Sequence, residues 1–259
     1  MSALAELTDT HAHLTHPDYG TDPGLVARAA GRGVGRIITV AFDLRTSETG
    51  AVVAASDAHV WHAPGIHPHD AMHVDPEALS QLRRLASLPR AAAIGETGLD
   101  FYRDRSPRET QIRAFRQHLE LAAELGLPVI VHSRNAAEEV LDIWAEGRCR
   151  LGVLHCFSGE AETARRAIEL GLYLGIAGTI TFRNAEPLRS LVARLPRDRV
   201  LLETDCPYLA PEPYRGKANE PAYLPLIAQA VAQCWGATLA ETAAITTANA
   251  ARCFPALAG

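Results

Sequence analysis

The stretch Leu7-Thr8-Asp9-Thr10-His11-Ala12-His13 predicts a β-strand that ends in two histidines. Side chains two apart on a strand point to the same side, so His11 and His13 can hold one cation together, and imidazole suits Zn, Mn or Fe ions. A histidine pair without a metal is the alternative, and four further candidate ligands elsewhere in the chain disfavour it. Asp9 shares their face and either orients an imidazole from behind or caps the strand.

Seven more short apolar runs, each of which predicts a β-strand, follow at regular intervals. The eight predicted strands span residues 7–13, 36–42, 59–67, 91–98, 128–133, 151–157, 172–180 and 200–206. Segments with helical periodicity separate them, such as 107–125, where apolar residues form a stripe among charges. This alternation predicts parallel βαβ units and an α/β fold, a (β/α)₈ TIM barrel. The length of 259 residues, close to the roughly 250 typical of such barrels, predicts a single domain over 1–259.

Six potential metal ligands fall at the ends of these strands. In such barrels the chemistry takes place at the C-terminal ends of the strands, so residues from distant parts of the chain meet at one mouth. The pattern therefore predicts a metal site there. The six candidates are His11, His13, Glu96, His132, His155 and Asp205.

Glu96 is the most informative of the acids. A charged carboxylate inside a barrel is costly unless it is paired or binds metal, and the end of the fourth strand is a position from which it can bridge two ions. Many related metal hydrolases bridge their ions with a carboxylated lysine, but Lys217 is the only lysine and lies in the loop after the eighth strand. Glu96 is therefore the predicted bridge, with a structural glutamate in a salt bridge as the alternative.

The fifth and sixth strands each end in a histidine. The imidazoles of His132 and His155 can converge on a second ion, although either alone would be more typical of a hydrogen-bonded core histidine. Cys156 is expected to point the other way and to pack. The eighth strand ends with two acids on one face. Asp205, nearer the mouth, is the predicted ligand and proton acceptor, and Glu203 lies deeper, behind the ligands.

Residues outside these strand ends carry weaker signals. His67 ends the third strand, where it can contact a leaving group or a phosphate oxygen, whereas His69 lies beyond the strand and can be a plain loop residue. Arg134, Arg215 and Lys217 are loop cations that can steady phosphates or can be ordinary surface charges.

Charge and composition limit the partners. The formal net charge is −5 and no basic run is visible, whereas a protein that grips duplex DNA along many phosphates carries a basic face. Contact with a nucleic acid would be confined to a few nucleotides. There is no apolar stretch of about 18 residues and no signal-peptide pattern, and the five cysteines form no C-x-x-C pair. We therefore expect a soluble cytoplasmic protein with reduced thiols, no membrane association and no obligate protein partner.

Several blocks resemble the signature of the TatD family of metal-dependent hydrolases. They read Asp-Thr-His-Ala-His-Leu, Gly-Ile-His-Pro-His, Gly-Glu-Thr-Gly-Leu-Asp-Phe, Val-His-Ser-Arg, Leu-His-Cys-Phe-Ser-Gly and Glu-Thr-Asp-Cys-Pro-Tyr-Leu. The likeness continues through Arg215-Gly216-Lys217 and Asn219-Glu220-Pro221 to Thr-x-x-Asn-Ala at 246–250, so it spans nearly the whole chain. The six candidate ligands match the family's ligand positions one by one.

The resemblance implies a TIM barrel of the amidohydrolase type that binds two divalent ions, and it implies a deoxyribonuclease, often a 3′→5′ exonuclease. In the mechanism that follows, the ions clamp the scissile phosphate and lower the pKa of the attacking water, whose proton passes to Asp205. The predicted ions are Mg or Mn in turnover, with Zn or Ni able to take the same ligands. The predicted partner is a DNA end, single-stranded or frayed, and RNA stays open as a substrate.

Two other functions stay open at this stage. A hydrolase of an amide, an ester or a small phosphate compound would use the same fold, because fold does not determine substrate. A binding protein that keeps the metal site without turnover is the third alternative.

Overall fold

Eight β-strands and nine α-helices build the part of the chain that the computed structural model describes, residues 6–19, 22 and 24–258. The strands are β1 (Leu7–Ala12), β2 (Val34–Val40), β3 (Val60–Ala63), β4 (Ile94–Asp100), β5 (Val129–Arg134), β6 (Gly152–Leu154), β7 (Tyr173–Ile176) and β8 (Val200–Leu202). The helices are α1 (Leu25–Ala30), α2 (Leu44–Ser56), α3 (Pro76–Ala86), α4 (Arg108–Leu125), α5 (Ala137–Glu146), α6 (Ala161–Glu169), α7 (Glu186–Val192), α8 (Leu224–Trp235) and α9 (Leu239–Cys253). Residues 1–5, 20, 21, 23 and 259 of the predicted domain lie outside the described residues.

The strands form a closed parallel barrel. They pair in parallel within two groups, β1 to β3 and β4 to β8. Isolated parallel bridges join Ala12 to Cys206 and His62 to Ala91, across the two remaining seams. At the first seam the His13 amide also donates to the Cys206 carbonyl at 2.9 Å. The predicted TIM barrel is therefore confirmed.

Side chains alternate between the inside and the outside of this barrel. On β5, Ile130 belongs to one buried cluster, whereas Val129 and Val131 belong to the larger cluster beneath the helices. On β8, Leu201 belongs to the first cluster, which therefore fills the barrel interior. Because alternate residues of a strand share a side, the residue two after Ile130, His132, also points inward at the mouth.

The C-terminal end of the chain closes the opposite end of the barrel. Helix α9 begins with a capping box at Thr238 and ends at Cys253. The residues that follow pack into the interior cluster, where Phe254 is fully buried, and the Trp61 indole donates to the Ala256 carbonyl at 3.0 Å. These residues fill the end of the barrel opposite the C-terminal ends of the strands.

Several strands end earlier than the sequence predicts. β6 ends at Leu154 and β8 ends at Leu202, and beyond them the backbone is left-handed at Cys156 and at Asp205, with φ of 48° and 56°. β3 ends at Ala63, well before His67. The predicted seventh strand, 172–180, ends early at Ile176, and its last residues belong to a 3₁₀-helix, Gly178–Thr181. Among the described residues, no helix combines the length and the apolar character needed to cross a bilayer.

Candidate metal centre

The six predicted ligands lie together at the C-terminal mouth of the barrel. Five are buried and His132 is half-buried. Four imidazoles and two carboxylates held away from water are costly unless they compensate one another or bind cations. Three overlapping groups have ligand atoms close enough to share an ion: His11 with His13 and Asp205, His11 with Glu96 and His155, and His67 with Glu96 and His132.

Glu96 lies between two pairs of histidines. Its Oε2 is 3.5 Å from Nε2 of His11 and 3.7 Å from Nε2 of His13. Its Oε1 is 2.8 Å from Nδ1 of His132 and 2.9 Å from Nε2 of His155. One carboxylate oxygen therefore faces each pair, which is the arrangement that a bridging carboxylate requires.

Asp205 stands beside the histidine pair of β1. Its Oδ1 lies 3.5 Å from Nε2 of His13 and 3.7 Å from Nε2 of His11. The Asp205 amide donates to the His11 carbonyl at 2.8 Å, which fixes the two residues across the seam between β8 and β1. The side chain of Asp205 is 11% exposed, so it borders the space that water and substrate can reach.

The distances within the cluster fit divalent cations. The facing nitrogens of His11 and His13 are 3.3 Å apart, and those of His132 and His155 are also 3.3 Å apart. A tetrahedral cation with ligand bonds of about 2.0–2.1 Å separates its ligand atoms by about 3.3–3.4 Å. Imidazole nitrogens and carboxylate oxygens are also donors that Zn, Mn and related ions accept. The residues present therefore suit divalent cations.

The charges in the cluster compensate one another. Burial alone raises the pKa of the Glu96 carboxyl, but the imidazoles, that of His155 foremost, outweigh burial and hold this pKa well below its usual range. Burial lowers the pKa of the His155 imidazole, yet the carboxylates of Glu96 and Glu203 raise it well above the usual value. The pKa of Asp205 is lowered because its contact with His13 and the charges of nearby imidazoles outweigh burial. Both acids are therefore anionic at neutral pH and attract cations.

Two of the imidazoles have a hydrogen-bond acceptor behind them, and a carboxylate faces a third. An N–H that donates to such an acceptor leaves the other ring nitrogen with its lone pair toward the centre. The hydrogen bonds join Nδ1 of His13 to the Val40 carbonyl at 2.9 Å and Nε2 of His132 to Oδ2 of Asp100 at 3.2 Å. Nδ1 of His155 lies 3.5 Å from Oε1 of Glu203 and makes no hydrogen bond within the described residues.

Glu203 is fully buried and also holds the backbone beside His155. Its Oε1 accepts a hydrogen bond from the Cys156 amide at 2.5 Å. Gly175 makes room for this carboxylate, because a Cβ at that position would lie 2.1 Å from Oε2 of Glu203. Cys156, which the sequence predicts to pack rather than to bind metal, belongs to none of the three groups whose ligand atoms could share an ion. β6 has ended before it, so strand alternation no longer applies, and the half-buried Cys156 lines a groove beside the centre.

Asp9 has a different role from either of the two that the sequence suggests. Its Oδ1 accepts hydrogen bonds from the amides of Thr204 at 2.9 Å and His11 at 3.3 Å, and its Oδ2 accepts one from the Thr204 hydroxyl at 2.6 Å. The carboxylate therefore ties β1 to the segment after β8 and reaches the backbone of His11, not its ring. Burial raises the pKa of Asp9 to about 7, against the effect of these hydrogen bonds.

Asp100 and His69 are members of the site that sequence reasoning misses. The buried Asp100 carboxylate lies behind His132, and its Oδ2 is also 2.9 Å from Nε2 of His69. Strand alternation could have found Asp100, because residues 96, 98 and 100 of β4 share one face. His69 could not be placed from the sequence, because it lies on a 3₁₀-helix, Pro68–His73, that folds back over the mouth.

His67 borders the centre at the start of the same 3₁₀-helix. Its Nε2 is 3.5 Å from Oε1 of Glu96. Burial lowers the pKa of the His67 imidazole well below its usual value, and the Glu96 charge only partly opposes this. His67 is therefore neutral at pH 7, with one ring nitrogen near the cluster.

The three predicted cations are exposed and lie over aromatic rings. Cζ of Arg134 is 4.1 Å from the centre of the Tyr102 ring, and Cζ of Arg215 is 3.6 Å from that of Phe182. Nζ of Lys217 lies farther from the aromatic ring that it faces than either guanidinium does. Within the described part of the chain, none of the three forms an ion pair with a carboxylate. Arg134 lines a groove of about 660 Å³ that His155, one of the six candidate ligands, also lines.

Comparison with known proteins gives one consistent result. Residues 8–255 match the model of the family described as TatD related DNase. A relative from Bacillus subtilis (strain 168), named uncharacterized metal-dependent hydrolase YabD, is 41% identical over 251 residues, which cover 96% of this chain and 98% of that protein. A relative from Cronobacter sakazakii, named 3′-5′ ssDNA/RNA exonuclease TatD, is 42% identical over 239 residues, which cover 89% of this chain and 90% of that protein.

Solved structures agree with the sequence relatives. The crystal structure of YjjV, a TatD homologue from Escherichia coli K12, superposes with a TM-score of 0.92 at 30% identity and covers 97% of this chain and 99% of that one. A hydrolase of the TatD family from Entamoeba histolytica has a TM-score of 0.86 at 23% identity, with 97% and 99% of the two chains covered, and supports the fold alone.

Proposed function

Since the chain belongs to the TatD related DNase family and is a metal-dependent hydrolase, we propose that it is a deoxyribonuclease that shortens DNA from the 3′ end. The observation that carries the proposal is the position of Glu96, with one oxygen toward each of two histidine pairs. A carboxylate shared in this way supports two divalent ions, a common arrangement for the hydrolysis of phosphate esters. A single domain over 1–259 supplies every residue required.

The ligands divide by position. His11 and His13, with Asp205 beside them, would hold one ion, His132 and His155 would hold the other, and Glu96 would be shared between the two. The chemistry that bound divalent ions supply at such a site is polarisation of the scissile phosphate and acidification of water. Mg or Mn serves in turnover, and Zn or Ni binds the same ligands in a purified sample.

The chain's own groups then move the proton and hold the substrate. Asp205 is anionic and partly exposed, so its carboxylate accepts the proton of the attacking water. Neutral His67 contacts the leaving oxygen or a phosphate oxygen beside Glu96. Arg134 holds the adjacent phosphate at the groove, and Arg215 and Lys217 steady phosphates farther along the strand. Asp9 and Glu203 keep the backbone of His11 and His155 in place.

The proposed substrate is a single-stranded or frayed DNA end. The net charge of −5 opposes contact along many phosphates, so binding is limited to the last few nucleotides. A relative is named as an exonuclease of both ssDNA and RNA, and on that basis RNA is proposed as a second substrate.

An assay on single-stranded DNA labelled at its 5′ end tests the proposal. Chelator-treated protein receives Mg, Mn, Zn or no metal, with Glu96→Ala as the inactive variant and Glu109→Ala, an exposed glutamate of α4, as the matched control. We expect a metal-dependent ladder that shortens from the 3′ end, lost only in Glu96→Ala. An intact oligonucleotide with every metal, together with turnover of an amide, an ester or a small phosphate compound, would refute the nuclease proposal and favour another hydrolase on this fold.

A further inference from the structure

Two tyrosines stand out on the surface. Of the Phe, Tyr and Trp side chains in the described residues, only Tyr102 and Tyr208 are largely exposed, at 60% and 49%. Exposed large aromatic rings are uncommon in a protein that can bury them, and near a ligand site they mark contact surfaces.

Their positions relate both rings to the metal centre. Tyr102 follows the end of β4 and Tyr208 follows the end of β8, which are four strands apart and so lie on opposite sides of an eight-stranded mouth. The Tyr102 amide donates to Oδ1 of Asp100 at 3.0 Å, and the Tyr208 amide donates to the Asp205 carbonyl at 2.9 Å. The backbone of each tyrosine is thus hydrogen-bonded to a residue of the centre itself.

Each ring is also held in place and keeps surface open to solvent. The Tyr208 hydroxyl is 2.9 Å from Nε2 of His16. The planes of the His13 and His16 rings make angles of 75° and 77° with the Tyr208 ring, so neither imidazole is stacked on this ring. On the other side of the mouth, the guanidinium of Arg134 lies over Tyr102. The mouth therefore has an aromatic ring on each side, and one of these rings is paired with a cation. This arrangement suits single-stranded nucleic acid, because its bases stack on aromatic rings and its phosphates bind to cations.

We propose that Tyr102 and Tyr208 stack on unpaired nucleobases on the two sides of the scissile phosphate. The inference rests on the nuclease function proposed above and extends it to the selection of substrate. A base can stack on either ring only after it has left its pair, so the two tyrosines favour unpaired ends. Stacking uses the face that all bases share, so little sequence preference is expected.

The test compares a thymidine oligonucleotide with one that has abasic residues at its three 3′-terminal positions. For wild-type protein with Mn²⁺, we expect KM to be at least about fivefold lower for the oligonucleotide with bases, a conservative value for one stacked base. Tyr208→Leu and Tyr102→Leu should each remove most of this difference. On the abasic oligonucleotide each variant should lose less than on the oligonucleotide with bases, because no base is there to stack.

Tyr208→Phe and Tyr102→Phe are the matched controls, because they keep the ring and lose only the hydroxyl. Both should retain the wild-type preference for bases. Equal losses on the two oligonucleotides, or no loss for the leucine variants, would overturn the inference while wild-type cleavage leaves the nuclease function intact. Failure of wild-type protein to cleave either oligonucleotide with any metal would instead overturn the proposed function and this inference with it.

Discussion

The replacement Asp100→Asn removes one negative charge behind His132 and leaves the volume of the side chain almost unchanged. Oδ1 of Asp100 accepts from the backbone amides of Tyr102 at 3.0 Å and Arg103 at 2.7 Å, whereas Oδ2 faces the imidazoles of His69 and His132. An asparagine keeps its single oxygen toward the two amides, so its NH₂ group points at the imidazoles. Nε2 of His132 then faces a donor and gives up its proton, which moves to Nδ1, the nitrogen that faces Glu96.

The size of the effect follows from that change of tautomer. Removing the acceptor behind a metal-binding histidine costs about 10–100-fold in metal affinity or activity. Because asparagine also presents a donor to His132, we expect the upper end of this range, about 100-fold, which is about 2.7 kcal/mol. The loss should fall on the ion that His132 would help to hold, since His11 and His13 make no contact with Asp100.

Competition with a chromophoric chelator measures the affinity for Mn²⁺ or Zn²⁺ in wild-type protein, Asp100→Asn and the control Asp104→Asn. The control makes the same change of charge at an exposed aspartate of the loop that follows β4. The carboxylate of Asp104 faces Arg108 and not the imidazoles, so this variant should match wild type. NMR of ¹⁵N-labelled histidine reports the tautomer of His132 directly. An affinity of Asp100→Asn within about threefold of wild type, well below the range expected for a lost acceptor, with the His132 tautomer unchanged, would refute the reasoning.

Three further outcomes follow from the site. Glu96→Gln should lower kcat by about 10³-fold or more and reduce the bound metal measured by mass spectrometry, because a neutral amide cannot bridge two cations; full metal content would contradict this. Metal affinity should fall as pH falls, because His155 has a raised pKa in the ion-free protein and cations must displace its proton. Chelator titrations from about pH 5.5 to about pH 8.5, a range that spans the usual imidazole pKa, measure this dependence. An affinity that does not change over this range would contradict the prediction. Gly175→Ala should destabilise the protein by about 1–3 kcal/mol in a denaturant titration, because its Cβ would lie 2.1 Å from Oε2 of Glu203; an unchanged midpoint would show that the carboxylate has room to move.

Much of the fold and of the candidate site follows from where polar residues interrupt apolar strands. Parallel strands of a barrel end at one mouth, so His11, Glu96 and Asp205 could be placed together although they are far apart in sequence. The strand ends were harder to predict. The predicted strands run through Cys156 and Asp205, whereas the backbone turns left-handed at both residues, and no periodicity records that turn.

Partners that are distant in sequence are the part that could not be predicted. Asp9 is tied to Thr204, 195 residues away, so its role depends on how the barrel closes between β8 and β1. Asp100 is joined to His69 only because the 3₁₀-helix that carries this histidine folds back over the mouth. Both contacts are set by tertiary packing, which neither hydrophobic period nor ligand spacing expresses.

The most direct test of the two-cation nuclease is the release of nucleotides from 5′-labelled single-stranded DNA as Mn²⁺ is added to chelator-treated protein. We expect no cleavage without metal, and a rate that rises with added Mn²⁺ until about two ions are bound per chain, with loss of DNA from the 3′ end. Cleavage that persists in chelator, or metal-saturated protein that leaves the DNA intact, would contradict it.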